Sequence, residues 1–80
     1  MRAKVIAVNY HKGFVAVETD GGITVFELLG GYNIQIGDII SGNLESEGSE
    51  IFMNETQKEK MDVFVQGIYC TPQNASQLMA

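Results

Sequence analysis

The sequence predicts a single small all-β barrel, and three observations predict it. The first is size: 80 residues, 45% apolar and 19% charged, make one ordinary globular domain. The second is rhythm, because short β-branched and aromatic runs recur between breaks rich in Gly, Asn and Asp, with nine Gly against one Pro. The third is that no segment before residue 70 sustains helical periodicity. Closure into a barrel has a physical motive. A chain of this length buries only about 60–65% of its unfolded surface. Wrapping one sheet on itself shields both its inner face and its edges.

Each element has its own signal. Lys4 to Val8 is a β-rich run that ends at Asn9. Phe14 to Thr19 follows the break at Gly13, and Asp20-Gly21-Gly22 is a hairpin turn, since Gly supplies the positive φ that tight turns need. Ile23 to Leu28 is the return strand. Gly30-Gly31 opens a loop running to residue 36, and Gly37-Asp38 leads into a strand from Ile39 to Glu45. A polar turn over 46–49 precedes a short strand from Glu50 to Asn54. After a solvated break at Lys58 to Lys60, the longest β-like run extends from Met61 to Tyr69. Alternation puts Val63, Val65 and Tyr69 on one face of that run and Phe64, Gln66 and Ile68 on the other. Such a strand either joins the barrel sheet or pairs with another copy of the chain. The organisation is therefore a barrel over residues 1–70 and a tail or short helix over 71–80. Thr71 and Pro72 suit a helix start, with Ala75, Leu78 and Met79 toward one side. Fraying is the alternative for so short a segment.

Composition excludes some functions. No apolar run reaches the roughly 18–20 residues that span a bilayer, and no signal-like apolar stretch follows the charged start. The single cysteine, Cys70, has no partner for a disulfide or a metal pair, so a reducing, cytoplasmic setting is expected. The net charge of −5 argues against a strong nucleic-acid binder, whose affinity comes largely from counterion release. The distribution is uneven, however: residues 1–17 carry Arg2, Lys4, His11 and Lys12 and no acid. A local basic edge is thus compatible with an acidic chain. His11 reads as a solvated loop residue, since no nucleophile or carboxylate is recognisable beside it. Cys70 reads as a structural thiol, Glu45, Glu47 and Glu50 as a solvated acidic turn, and the paired glycines as turn residues. No catalytic residue, metal or cofactor is expected.

Asn9-Tyr10-His11-Lys12-Gly13-Phe14-Val15-Ala16-Val17 resembles the first RNA-binding motif of the cold-shock domain, with Asn9, Lys12, Gly13 and Phe14 in place. Asp20-Gly21 and Val25-Phe26 fall where that family has its hairpin turn and the start of its second motif. Gly37-Asp38-Ile39-Ile40-Ser41-Gly42 and the segment from Ser46 to Phe52 resemble the second half of an S1 domain. Both families are OB-folds, so the resemblance implies a small Greek-key barrel of five strands, with Met61 to Tyr69 as a sixth. It covers residues 3–54.

The departures from the family bear on function. Cold-shock domains stack bases on exposed aromatics, each worth roughly 1–3 kcal/mol. Here Ala7, Ala16, Leu28 and Leu29 stand at family positions for aromatic or His side chains, and Glu27 adds a negative charge. The resemblance places Phe14 and Phe26 outward, with Leu28 sharing their face. The alternative is that both rings point into the barrel. The expected function is a non-catalytic binding module whose outer face on strands one to three, centred on Phe14, Phe26 and Leu28, is covered by a protein partner, a second copy or the chain's own tail. The alternative function is weak single-stranded RNA or DNA binding through Lys4, Tyr10, His11, Lys12, Phe14 and Phe26.

Overall fold

A computed structural model describes residues 1–80. Six antiparallel strands precede one helix: β1 (Arg2–Asn9), β2 (Phe14–Thr19), β3 (Gly22–Leu28), β4 (Ile39–Ser41), β5 (Gly48–Asn54), β6 (Glu59–Cys70) and α1 (Pro72–Met79). The strands close in the order β1-β2-β3-β6-β5-β4, with β4 hydrogen-bonded back to β1. β1 to β3 form one meander and β4 to β6 a second. Because β4 returns to lie beside β1, the first four strands have the 4-1-2-3 order of a Greek key. β6 is inserted between β3 and β5 and is paired on both sides. It therefore offers no free edge to another sheet, which corrects the expectation that this strand could pair across chains.

Alternation builds the interior. Val5, Val15, Val17, Phe26, Ile40, Phe52, Met61, Val63 and Val65 point inward and are buried. Phe26 and Phe52 meet edge to face, 5.0 Å between ring centroids at 90°, a geometry worth about 0.5–1.5 kcal/mol beyond area burial. Two loop residues complete the core. Ile34 enters from the crossover between β3 and β4, and Leu44 from the turn between β4 and β5. The buried Thr24 hydroxyl donates to the Leu44 carbonyl at 2.7 Å, which satisfies a polar group inside the barrel.

The inward position of Phe26 corrects the outward placement, and the hairpin turn explains it. A three-residue turn over Asp20 to Gly22 would align Ala16 with Phe26 on the outer face. The observed loop has two residues, Asp20 and Gly21, and Thr19 pairs with Gly22. That register aligns Val15 with Phe26 and Phe14 with Glu27. A one-residue slip exchanges the faces of a whole strand. Gly22 takes φ +141°, and a Cβ there would sit 3.1 Å from the backbone of Tyr69 and Cys70, so only glycine suits this pairing.

Two further expectations change. The strand expected from Ile39 to Glu45 stops at Ser41, because Gly42 breaks it and Leu44 turns back into the core. Ile40 rather than Ile39 is its buried residue. In β6 the pairing with β3 is irregular on both sides of Val25, and alternation fails beyond Gln66. Ile68 then packs toward the barrel core, whereas Tyr69, at φ 54°, is exposed.

The tail forms a helix. Thr71 caps it, its hydroxyl accepting from the Asn74 amide at 3.2 Å, and Pro72 opens the first turn. The helix lies on the outer faces of β2, β3 and β6, where Ala75 packs with Ala16, Ile23, Val25 and Cys70. Ala7 and Met79 border this second cluster. Gly67 makes the approach feasible, since a Cβ there would lie 2.8 Å from Leu78. Val25 is accordingly buried beneath the helix rather than inside the barrel.

Candidate binding surface

The residues expected to make contacts do not converge. Phe26 is 0% exposed. Leu28 is half-buried against the same core. Phe14 is half-buried on the opposite, outer face, so it shares no patch with either. Tyr10, His11 and Lys12 project from the tip of the β1–β2 hairpin. Tyr10 is 69% exposed, with its hydroxyl donating to the Ile34 carbonyl at 3.0 Å. The Lys12 ammonium donates to the Ala80 carbonyl, and the Asn9 amide to the Met79 carbonyl at 2.8 Å, which ties the hairpin to the end of α1. Lys4 stands apart, exposed on β1 between Glu18 of β2 and Ile39 of β4. The outer face of strands one to three is covered, but by α1, and around Ala16, Ile23 and Val25 rather than Phe14, Phe26 and Leu28.

An exposed apolar group lies elsewhere, on the outside of β5 and β6. Cross-strand partners point to the same side of a sheet, and the register there is Ser49 with Phe64, Ile51 with Asp62 and Met53 with Lys60. Ile51 is 64% exposed, Leu29 55% and Phe64 40%. Leu29 joins this side through its amide, which donates to the Asp62 carbonyl at 2.9 Å. Leu29, Ser49, Glu50, Ile51, Asp62 and Val63 line an open cleft of about 800 Å³. Single exposed apolar residues are ordinary, whereas several grouped together mark a contact surface. Ile51 and Phe64 stand in the expected strands, but only the β5–β6 register makes them neighbours.

Charge is sorted across the same side. Glu27, paired with Phe64, and Asp62, paired with Ile51, accompany the apolar residues. One step further along the strands the sign changes. Lys60, Met53, Ser41 and Arg2 form a continuous row across β6, β5, β4 and β1. A second open cleft of about 520 Å³ is lined by Arg2, Ile39, Met53, Glu55, Thr56 and Lys58. Arg2 pairs with Glu55 at 2.9 Å. Of the five Lys and Arg residues, Arg2, Lys58 and Lys60 stand in this row or cleft, and Lys4 and Lys12 do not.

A buried polar cluster holds the framework behind these clefts. The Asp38 carboxylate accepts from the Asn54 side-chain amide at 2.9 Å, the Gln35 backbone amide at 3.0 Å and the Gln57 side-chain amide at 3.2 Å. Asn54 in turn accepts from the amides of Thr56 and Gln57. Burial by itself pushes the Asp38 carboxyl up, but the hydrogen bonds from Asn54, Gln35 and Gln57 outweigh it and hold the group below its ordinary value. Cys70 is shifted the other way, upward, by burial and by the negative charge of Glu47. No group of three or more His, Cys, Asp or Glu side chains comes together, and no helix is long and apolar enough to cross a membrane. No protein-family model, curated protein or solved structure matches this chain.

Proposed function

We propose that this chain is a non-catalytic binding module that works by protein contact, self-association included, through the outer side of β5 and β6. The observation that carries this reading is the exposure of Leu29 and Ile51 on one cleft, with Phe64 exposed in the next row of the same sheet face. A folded chain gains nothing in stability by leaving these side chains wet, whereas a contact that covers them gains roughly 25 cal/mol for each Å² of apolar surface removed from water. The α1 helix already occupies the face used for stacking in cold-shock domains, together with the Gly67–Cys70 end of β6, which leaves β5 and the first half of β6 open to contact. Kinship with the cold-shock and S1 barrels is part of this proposal. It is supported by the Asn9 to Phe14 motif at the β1–β2 hairpin and the Gly37 to Gly42 motif at β4. The test is cross-linking in an extract of the source cells, using the wild type, Ile51→Glu, Phe64→Glu and the distant control Asp20→Lys. The two substitutions on β5 and β6 are expected to remove the cross-linked species that the control retains. Species unchanged in all four proteins would sink the reading.

A second reading, weak single-stranded nucleic-acid binding, is favoured by one observation. Arg2 and Lys58 line one cleft, whose Met53 is paired with Lys60, and Lys4 shares the outer face of β1 with Arg2. Phosphate attraction needs such a cluster. The stacking groups that would add affinity are reduced to Tyr10 and the half-buried Phe14.

A further inference from the structure

The outer side of β5 and β6 is its own complement. Outward residues run Phe64, Asp62, Lys60 along β6 and Ser49, Ile51, Met53 along β5, in three paired rows. A line drawn across the strands between the Ile51–Asp62 row and the Met53–Lys60 row separates unlike halves. On one side stand Asp62 and Glu27 with Leu29, Ile51 and Phe64. On the other stand Lys60 and Lys58 with Met53, and next to them Glu55, whose charge is taken up by Arg2 of β1. Neither Asp62 nor Lys60 has an ion-pair partner within the chain, whose one salt bridge is Arg2–Glu55.

A two-fold axis lying in the plane of contact along that line places each half of one copy on the other half of its mate. In such an isologous contact, residue i meets residue j and residue j meets residue i. Asp62 then faces Lys60 twice and Ile51 faces Met53 twice. Two molecules of net charge −5 repel at long range, so association needs an orientation in which opposite local charges meet. This line supplies one. Building on the protein-contact reading, we infer that the occupant of this side is a second copy of the chain, docked face to face about a two-fold axis between the Asp62 and Lys60 rows.

The test is sedimentation equilibrium over a concentration series for the wild type, Ile51→Glu, Asp62→Lys, Lys60→Asp and the double exchange Asp62→Lys with Lys60→Asp. Ile51, Asp62 and Lys60 are all exposed, and circular dichroism checks that the variants fold. The wild type is expected to approach twice the chain mass, and Ile51→Glu to stay monomeric. Each single reversal puts like charges together twice, and is expected to weaken the dimer by about tenfold or more. The double exchange restores both pairs, and is expected to return the dimer to within about threefold of the wild type. A double exchange no stronger than the single reversals overturns the two-fold pairing. So does a dimer indifferent to Ile51→Glu. A wild type that is monomeric throughout, yet loses its cross-linked species on Ile51→Glu, refutes the second copy while leaving the protein-contact reading intact.

Discussion

Phe14 and Phe26 lie on adjacent strands, share a side-chain type and have opposite roles. Phe26 meets Phe52 edge to face in the barrel, while Phe14 faces outward beside Glu27. Phe26→Ala should cost about 3–5 kcal/mol, the range for truncating a buried aromatic. Phe14→Ala should cost about 1 kcal/mol, because only part of its area leaves water. Urea unfolding of the two variants measures the difference, and equal costs would mean that the faces are wrongly assigned. Asp38 makes a second residue-scale case. Its folded-state carboxyl titrates below the ordinary Asp value, because three hydrogen bonds favour the charged form over the opposing effect of burial. The stabilisation is therefore fully present above the unfolded value of about 3.9 and is lost as pH falls through the lower folded value. Asp38→Ala leaves the Asn54 amide without its partner and should cost about 1–3 kcal/mol at neutral pH. As pH falls below the ordinary Asp value the gap between wild type and variant should narrow, because the wild type loses the same interaction. Urea melts at neutral and acid pH provide the check.

At the scale of elements, α1 is a cover. Eight residues make a marginal helix in isolation. Its Thr71 cap, its first-turn proline and the seat made by Gly67 act together to hold Ala75 against β2 and β3. Cys70 lies beneath this contact, and burial and the charge of Glu47 push its thiol further above its ordinary value. Ala75→Asp would bury a charge without a partner, so it should undock the helix while leaving the closed barrel in place. Iodoacetamide should then alkylate Cys70 much faster than in the wild type. Thr71→Ala should act in the same direction and more weakly, since a lost cap costs about 1 kcal/mol. An unchanged labelling rate in Ala75→Asp would show that α1 is not what shields the thiol.

For the whole molecule, charge separation matters more than total charge. Four of the five cations stand around β1, β4 and the β5–β6 turn, while acids occupy much of the rest. Single-stranded oligonucleotides at physiological salt should therefore bind with about micromolar affinity or weaker, with a modest salt slope. Lys58→Glu combined with Lys60→Glu should abolish that binding, whereas Lys12→Glu, at the far hairpin, should leave it unchanged. Fluorescence anisotropy titration measures both. Nanomolar affinity would put nucleic-acid binding ahead of protein contact.

Local chemistry carries most of the fold. Alternating valines specify strands and turn glycines specify where they end, and both act within a few residues of chain. That is why all six strands, the loop from Gly30 and the cap at Thr71 are legible in the sequence alone. The binding side is not legible in the same way, because it depends on pairings between distant segments. The β2–β3 register rests on a single residue in one turn, and it reverses Phe26 from surface to core. β6 reads as a surplus strand until β3 and β5 take its two edges. Arg2 becomes a neighbour of Lys58 only because β4 closes the barrel between β1 and β5. Alternation assigns residues to the two faces of a strand, but only closure decides which strands, and therefore which charges and apolar side chains, share an outside.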